Sequence, residues 1–393
     1  MLVGPLWVDQ LLGTIVRPLT WHFSRRSCTN QATTRPLSEP EHCPRKLRTR
    51  CSSSGKSMES SGRWNAGLMR WGVVGHGRIV SKFLDAARGV GHEVVAVTGR
   101  ETSRAAVFAT HHGIGWAGGN PADLVGEVDA VYVATPHSSH RDVALVLLGA
   151  GVPVLCEKPM AVNALQVRQM VAVARSSGTF LMEAMWTRHL PVFRVFRRWI
   201  DEGRLGEIEM VEARFGFSVP YDPTNRLWAP GLAGGSLLDV GIYPLTLAEL
   251  AFGTQPVSFD AEAELSPDGV DACLCVVADY SAGGSARLTS AINADFAPNG
   301  RIIGTKGIIE VPNFWCAERM ALTSLRGEKV DEVHEPHQVN GFEYQIIEAA
   351  RCLKVGAAES PVVPWVWSVA MAELMDEIRS RIGVVYPCDR ESL

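Results

Sequence analysis

A lysine held between a glutamate and a proline, Glu157-Lys158-Pro159, follows the apolar run Pro153-Val154-Leu155-Cys156 and is the strongest candidate for chemistry. A tripeptide recurs by chance, but this one closes a late buried strand downstream of a glycine-rich turn, Gly75-His76-Gly77-Arg78-Ile79-Val80. At that end of a dinucleotide-binding sheet, a lysine faces the nicotinamide end of the ligand crevice. Its ammonium can bind a substrate oxygen there and stabilise alkoxide character while hydride moves. A structural ion pair is the competing reading, and the location disfavours it. Glu157 and Lys158 therefore point to an oxidoreductase.

The Gly75-x-Gly77 turn follows Trp71-Gly72-Val73-Val74 and opens a helix pattern, so its amides can approach a pyrophosphate at the helix N-terminus. With Arg78 and Ile79 it is the candidate phosphate site. Val80 stands where the fingerprint usually has a small residue, and only the strand–turn–helix context supports the match. The second strand ends Ala96-Val97-Thr98-Gly99-Arg100, with no carboxylate for the ribose hydroxyls of NAD. Arg100 and Arg104 offer cations for a 2′-phosphate, although Glu101 opposes them and solvated surface arginines are the plain alternative. NADP is the expected cofactor, with NAD second. Thr135 and Pro136, after the buried run Ala130–Val133, would shape the cofactor wall. His137 and His140 read as helix-capping or surface residues.

Gly234-Gly235-Ser236 leads into Leu237-Leu238-Asp239-Val240-Gly241-Ile242-Tyr243, which sets Asp239 and Tyr243 on one helix face. A phenol near an ammonium is expected to titrate below its usual ~10. Tyr243 would then exchange a proton with a substrate hydroxyl while Asp239 orients its partners. On so apolar a helix, a core tyrosine is the alternative. Trp186 would wall a ring-shaped substrate and Arg188 would anchor it, with interdomain packing an equal explanation for the tryptophan.

The elements that must position these groups fall into two halves. From Arg70, strands (Val73-Val74, Glu93–Thr98, Ala130–Val133, Val152–Cys156, Phe180–Glu183) alternate with helices (Ile79–Arg88, Thr102–His111, Ser138–Leu148, Ala164–Arg175). That alternation predicts a doubly wound parallel sheet, a Rossmann domain over residues 69–190. After Pro191 a helix, Val192–Ile200, precedes strands at Glu207–Phe217, Val257–Leu265, Ala272–Tyr280, Ser285–Ala294 and Arg301–Gly304. Gly341–Leu353 and Trp365–Arg381 are helices. Residues 191–393 thus read as an α+β domain on an open, mainly antiparallel sheet. No internal repeat is evident.

The chain has 393 residues and a formal charge of −4, distributed unevenly. Ten Lys/Arg against four Asp/Glu give residues 1–69 a charge of +6, which leaves −10 on the remainder. An acidic body speaks against nucleic acid as partner. Residues 1–68 are basic, Ser-rich and aperiodic; they read as an extension upstream of a start at Met69, with a transit peptide as the alternative. Nine cysteines include no CxxC pair, and no His spacing suits zinc, so no metal is expected. Buried thiols in a reducing compartment imply a cytoplasmic protein. No apolar run reads as long enough to cross a membrane.

Taken together, the Gly75 turn, Ala134-Thr135-Pro136-His137, Leu155–Met160, Phe180–Trp186, Gly235–Leu245, Gly304-Thr305-Lys306-Gly307 and Glu359-Ser360-Pro361 resemble the Gfo/Idh/MocA oxidoreductase family. Within it, the chain is similar to the branch of dihydrodiol and D-xylose dehydrogenases, from Arg70 to about Pro387. The resemblance implies an active site between the two domains, with Lys158 polarising the substrate and Tyr243, a histidine in many relatives, as acid–base. It also implies Trp186 and Phe215 lining the substrate pocket, and homodimers paired through the open sheet, whose bare face carries apolar or small side chains. Val80 and Gly99 depart from the family pattern. The expectation is an NADP-dependent dehydrogenase of an aldose, cyclic polyol or trans-dihydrodiol. A sugar oxidoreductase with tightly held cofactor and a catalytically silent ligand sensor or co-regulator are the alternatives. Retention of Lys158, Asp239 and Tyr243 together favours the enzyme.

Overall fold

Trp71, Gly72, Val73 and Val74 are buried in β1 (Arg70–Val74), at the centre of a six-stranded parallel sheet. The computed structural model describes residues 68–390; the expectation for the leader concerns residues that, apart from Leu68, lie outside that range. β2 (Glu93–Thr98), β3 (Trp116–Gly118), β4 (Ala130–Val133), β5 (Val154–Glu157) and β6 (Leu181–Ala184) complete the sheet in the order β3-β2-β1-β4-β5-β6. β4, β5 and β6 are buried along their whole length, as strands covered by helices on both faces must be. Strand order reverses between β1 and β4, so a crevice opens where Gly75 and Ala134 leave the sheet. The short edge strand β3 has too little apolar sequence to be read in advance.

The second sheet has eight strands: β7 (Ile208–Ser218), β8 (Ser258–Leu265), β9 (Asp271–Asp279), β10 (Ser285–Ala291), β11 (Asn293–Gly304), β12 (Gly307–Pro312), β13 (Arg319–Ser324) and β14 (Lys329–His334). Their order is β14-β13-β12-β11-β7-β10-β9-β8. Only β7 and β10 pair in parallel, so the sheet is mainly antiparallel. The expected strand Ser285–Ala294 ends at Ala291, and β11 begins at Asn293 and runs on through Gly304. β11 changes register against β7 at several points, which hides the second strand's start from simple alternation.

One face of this sheet, including Val211, Ala213, Leu274, Val276, Ala286 and Leu288, is buried. It packs against the helix Ile242–Phe252, which is itself buried over most of its surface. Contrary to expectation, residues 230–252 are apolar and long enough to cross a bilayer, but 83% of the apolar window lies inside the protein. It is a core helix. On the opposite face Cys273, Cys275, Val277, Arg287 and Thr289 are half-buried.

The helix expected from Ser138 begins later. Pro136 opens a tight turn at His137–Ser139, and the helix runs His140–Gly149 with Ser139 at its N-cap. The last helix, Trp365–Ile382, returns to the parallel sheet and packs on Ala164–Ser177. There the Trp365 indole donates to the Leu181 carbonyl at 2.9 Å.

Candidate active site

A cleft of about 950 Å³ opens at the carboxyl ends of β1, β2, β4 and β5 and reaches the second sheet. At its base, Gly75 sits at φ +114°, and a Cβ there would lie 2.4 Å from the Ala134 carbonyl oxygen. Only glycine tolerates both the angle and the approach. The Gly75 amide donates to Thr98 O at 2.8 Å, which locks the turn onto β2. Gly77 caps the helix Arg78–Gly89 and has open space where a side chain would stand. Val80 is fully buried beneath that helix. The Oγ1 atoms of Thr98 and Thr135 are buried without partners. A turn open to phosphate and orphaned hydroxyls beside it fit a dinucleotide.

All of the expected cofactor residues, Gly75, Gly77, Arg78, Ile79, Arg100, Thr135, Pro136 and Glu157, line this cleft. Arg104 lies at the same end, paired loosely with Glu101 at 3.5 Å in solvent.

The two histidines are not at the surface. His140 is fully buried between the carbonyls of Thr135 and Pro159, 2.9 Å from each, and so ties the β4 loop to the turn after β5. Burial lowers its pKa against the pull of those two acceptors. His137 Nδ1 donates to Ala233 O at 3.1 Å, and burial drives its pKa down to about 3. It is a neutral imidazole.

Lys158 projects from the end of β5, followed by a cis bond to Pro159. Its ammonium donates to the backbone carbonyl of Asp239 and lies 5.1 Å from the Tyr243 ring centroid. Glu157 behind it accepts from the Tyr132 hydroxyl, and burial raises its pKa despite the adjacent ammonium.

Asp239 stands in a π-helical stretch, Leu237–Gly241, that feeds the core helix. Burial would raise the Asp239 pKa, but Lys158 and Arg226 outweigh it and hold the carboxyl below the usual range. The Asp239 carboxylate accepts from Arg226 Nη1 at 2.9 Å, so its orienting partner is Arg226 and not Tyr243. Tyr243 titrates opposite to expectation: burial and then Glu157 push its phenol well above the ordinary value. Desolvation of a phenolate beneath the aromatic layer exceeds what an ammonium over the ring can offset.

Phe215 and Trp315 stack with centroids 5.1 Å apart and line the cleft with Tyr243. Trp186, expected in that wall, does not line it. It lies one layer behind, where its indole donates to the Tyr243 hydroxyl at 3.2 Å and its ring packs on Trp315 and Phe342. Arg188 does not reach the cleft either. Its guanidinium pairs with Glu249, donates to Val362 O at 3.0 Å and lies over Trp367. Sequence reasoning missed Trp315, Phe217 and Arg226, all of which line the cleft. The aromatic pair Phe314-Trp315 was the only local signal for the first of these.

A dinucleotide turn facing a lysine and a buried tyrosine across one cleft defines a nicotinamide-dependent oxidoreductase. Residues 69–185 match the oxidoreductase family with NAD-binding Rossmann fold, and residues 193–310 match the GFO/IDH/MocA C-terminal domain. The chain is 36% identical over 332 residues to trans-1,2-dihydrobenzene-1,2-diol dehydrogenase of Mus musculus, covering 82% of this chain and 99% of that protein. Identity to the enzyme of the same name from Macaca fascicularis is 37% over 336 residues, with the same coverage. Among solved structures, a 3-ketoreductase from Actinomadura kijaniata in complex with NADP and TDP-benzene superposes with a TM-score of 0.72. It is 27% identical and covers 80% of this chain and 98% of that one. An aldose-aldose oxidoreductase from Caulobacter crescentus shares the fold at a TM-score of 0.72 and 23% identity, covering 80% and 97%. The chain belongs to the Gfo/Idh/MocA oxidoreductase family. It is an oxidoreductase acting on CH–OH groups, with an NAD(P)-binding Rossmann domain.

Proposed function

We propose that the protein is an NADP-dependent dehydrogenase that interconverts a CH–OH group and a carbonyl on a trans-dihydrodiol, cyclic polyol or aldose. The observation that carries this reading is the shared placement of Lys158 and Tyr243 against an aromatic wall, beneath the dinucleotide turn. The Gly75 turn, Thr135, Pro136 and Arg100 would hold the coenzyme, which when bound would supply or accept hydride. Burial keeps Tyr243 protonated, so in reduction it donates its proton to the substrate oxygen. Lys158 stabilises the charge that develops on that oxygen. Asp239, ionised and braced by Arg226, directs the ammonium through its backbone carbonyl. Phe215 and Trp315 present aromatic faces suited to a planar or ring-shaped substrate.

The reading extends to a cytoplasmic homodimer paired through the half-buried face of the second sheet, where Val277, Cys275 and Thr289 offer small and apolar surface. A monomeric mass by light scattering at micromolar concentration would remove the dimer. The function itself is tested by following reduced-coenzyme absorbance with trans-dihydrodiols, polyols and aldoses, each with NADP and NAD. Turnover of none of them, or a kcat/KM equal with both coenzymes, contradicts the respective part of the proposal.

A further inference from the structure

The adenosine end of the cleft contains a histidine that neither the turn nor the catalytic chemistry requires. His76 is the variable residue between the two glycines of the turn, and it lines the cleft with Gly99, Arg100, Glu101 and Arg104. Its Nδ1 is buried without a hydrogen-bond partner. A Cβ built on Gly99 would lie 2.7 Å from Nδ1 and 3.0 Å from Cε1, so the imidazole fills the space a side chain at position 99 would occupy. Gly99 adopts an ordinary backbone angle, since only left-handed glycines carry a positive φ and it is not among them. Crowding by His76, and not backbone conformation, is what calls for glycine there.

We infer that His76 is a coenzyme-specificity residue, which binds the 2′-phosphate of NADP together with Arg100 and Arg104. The inference rests on the coenzyme reading above and deepens it. The end of β2 is where an adenosine ribose is read in this sheet topology. Nδ1 is closed off against Gly99, so the ring would meet a phosphate oxygen through its other nitrogen, Nε2, which is not enclosed and lies on the cleft with Arg104 nearby. The groups facing the ring come from the start of the helix Thr102–His112: Arg104 repels its proton and Glu101 attracts it. Burial is the larger influence and lowers its pKa below the ordinary value, so the free protein holds a neutral ring at neutral pH. A dianionic phosphate reverses that balance, and NADP binding then draws a proton onto His76 where NAD binding does not.

The test uses titration calorimetry of the full chain with NADP⁺ and NAD⁺, in buffers of different ionisation enthalpy, which counts protons taken up on binding. His76→Ala should weaken NADP⁺ about tenfold, the loss expected for one hydrogen bond to a charged group, and NAD⁺ less than twofold. Proton uptake with NADP⁺ near neutral pH should fall relative to the parent. Gly99→Ser alone should also weaken NADP⁺, because the new side chain meets the imidazole. His76→Ala combined with Gly99→Ser should recover several-fold, with the serine hydroxyl donating in its place. Equal weakening of both coenzymes by His76→Ala would reduce the residue to a structural part of the turn and overturn the inference. An unchanged NADP⁺ preference would overturn it too. A parent that binds both coenzymes alike refutes the coenzyme reading itself; a parent that prefers NADP⁺ regardless of His76 refutes only this step.

Discussion

Removing one buried charge, Asp271→Asn, should stabilise the protein at neutral pH and leave it unchanged in acid. Asp271 lies on β9 with no solvent exposure. Its Oδ2 accepts from Ser236 Oγ at 2.8 Å and from the Leu237 amide at 2.6 Å, at the entry to the segment that carries Asp239 and Tyr243. Oδ1 has no partner. Burial pushes the carboxyl up to about 6, and the bonds from Ser236 and Leu237 only partly oppose it. An unfolded aspartate titrates near ~3.9, so between those values the native state binds more protons than the unfolded chain. The contribution is therefore fully present below about pH 4 and is lost as pH rises through about 6. Two pKa units correspond to roughly 3 kcal/mol. Asparagine keeps the shape: its oxygen at the Oδ2 position accepts from both Ser236 Oγ and the Leu237 amide, and its amide takes the unpartnered Oδ1 position without a charge. In urea unfolding at fixed m, the variant should exceed the parent by about 2–3 kcal/mol at pH 8 and match it near pH 4. A stability difference that does not change with pH, or an asparagine variant that is weaker at pH 8, would refute the reasoning.

Lys158→Met should lower kcat by about 10²–10³ while the coenzyme dissociation constant measured by fluorescence stays near the parental value; near-normal turnover would exclude Lys158 from the chemistry. Tyr243→Phe should cut kcat far more than it alters KM, since the ring packing survives and only the proton path and the bond from Trp186 are lost. Because burial keeps the phenol protonated, the parental rate should show no basic limb from Tyr243 below about pH 10. A limb between pH 7 and 9 that Tyr243→Phe abolishes would contradict this. Arg188→Ala should leave kcat/KM within about threefold yet cost about 2–4 kcal/mol in unfolding, because Glu249 is left largely buried without a countercharge, with the Trp367 indole still donating to it. A large rise in KM with unchanged stability would return Arg188 to the substrate.

The parallel half was legible because its strands are short, wholly buried and separated by helices of ordinary length. Glu93–Thr98 and Ala130–Val133 carry their own signal in β-branched and apolar runs, and they appear where the residues place them. The second sheet was harder for a physical reason. β14 is the half-exposed edge strand and β13 lies next to it, and Lys329–His334 alternates charge with valine and not apolar with polar in any strong sense. Neither local propensity nor a buried run marks such a strand; its pairing with a neighbour defines it. β11 carries Pro298 and Asn299 within its length and changes register across β7, so its first half looked like loop.

The site divides along the same line. Residues at strand ends, Gly75, Thr135 and Lys158, could be placed because a parallel sheet fixes where strand ends go. The aromatic wall could not. Trp186 directly follows β6 and looked like the wall by proximity in sequence, but Trp315 takes that position from the turn after β12, 129 residues further along. The two tryptophans then pack edge to face, and the nearer one in sequence serves the Tyr243 hydroxyl from behind. Arg188 was assigned to the substrate for want of a visible partner; that partner, Glu249, lies on a helix whose placement depends on the second sheet. The phenol's direction failed for a related cause. An ammonium lowers a tyrosine's pKa when it faces the oxygen, whereas Lys158 lies over the ring and spends a hydrogen bond on the Asp239 carbonyl. With the oxygen held instead by a neutral indole and with Glu157 nearby, burial decides the outcome. On the proposed reading Tyr243 would enter the reaction as a proton donor, and reduction of a carbonyl is then the direction for which the free site is already protonated.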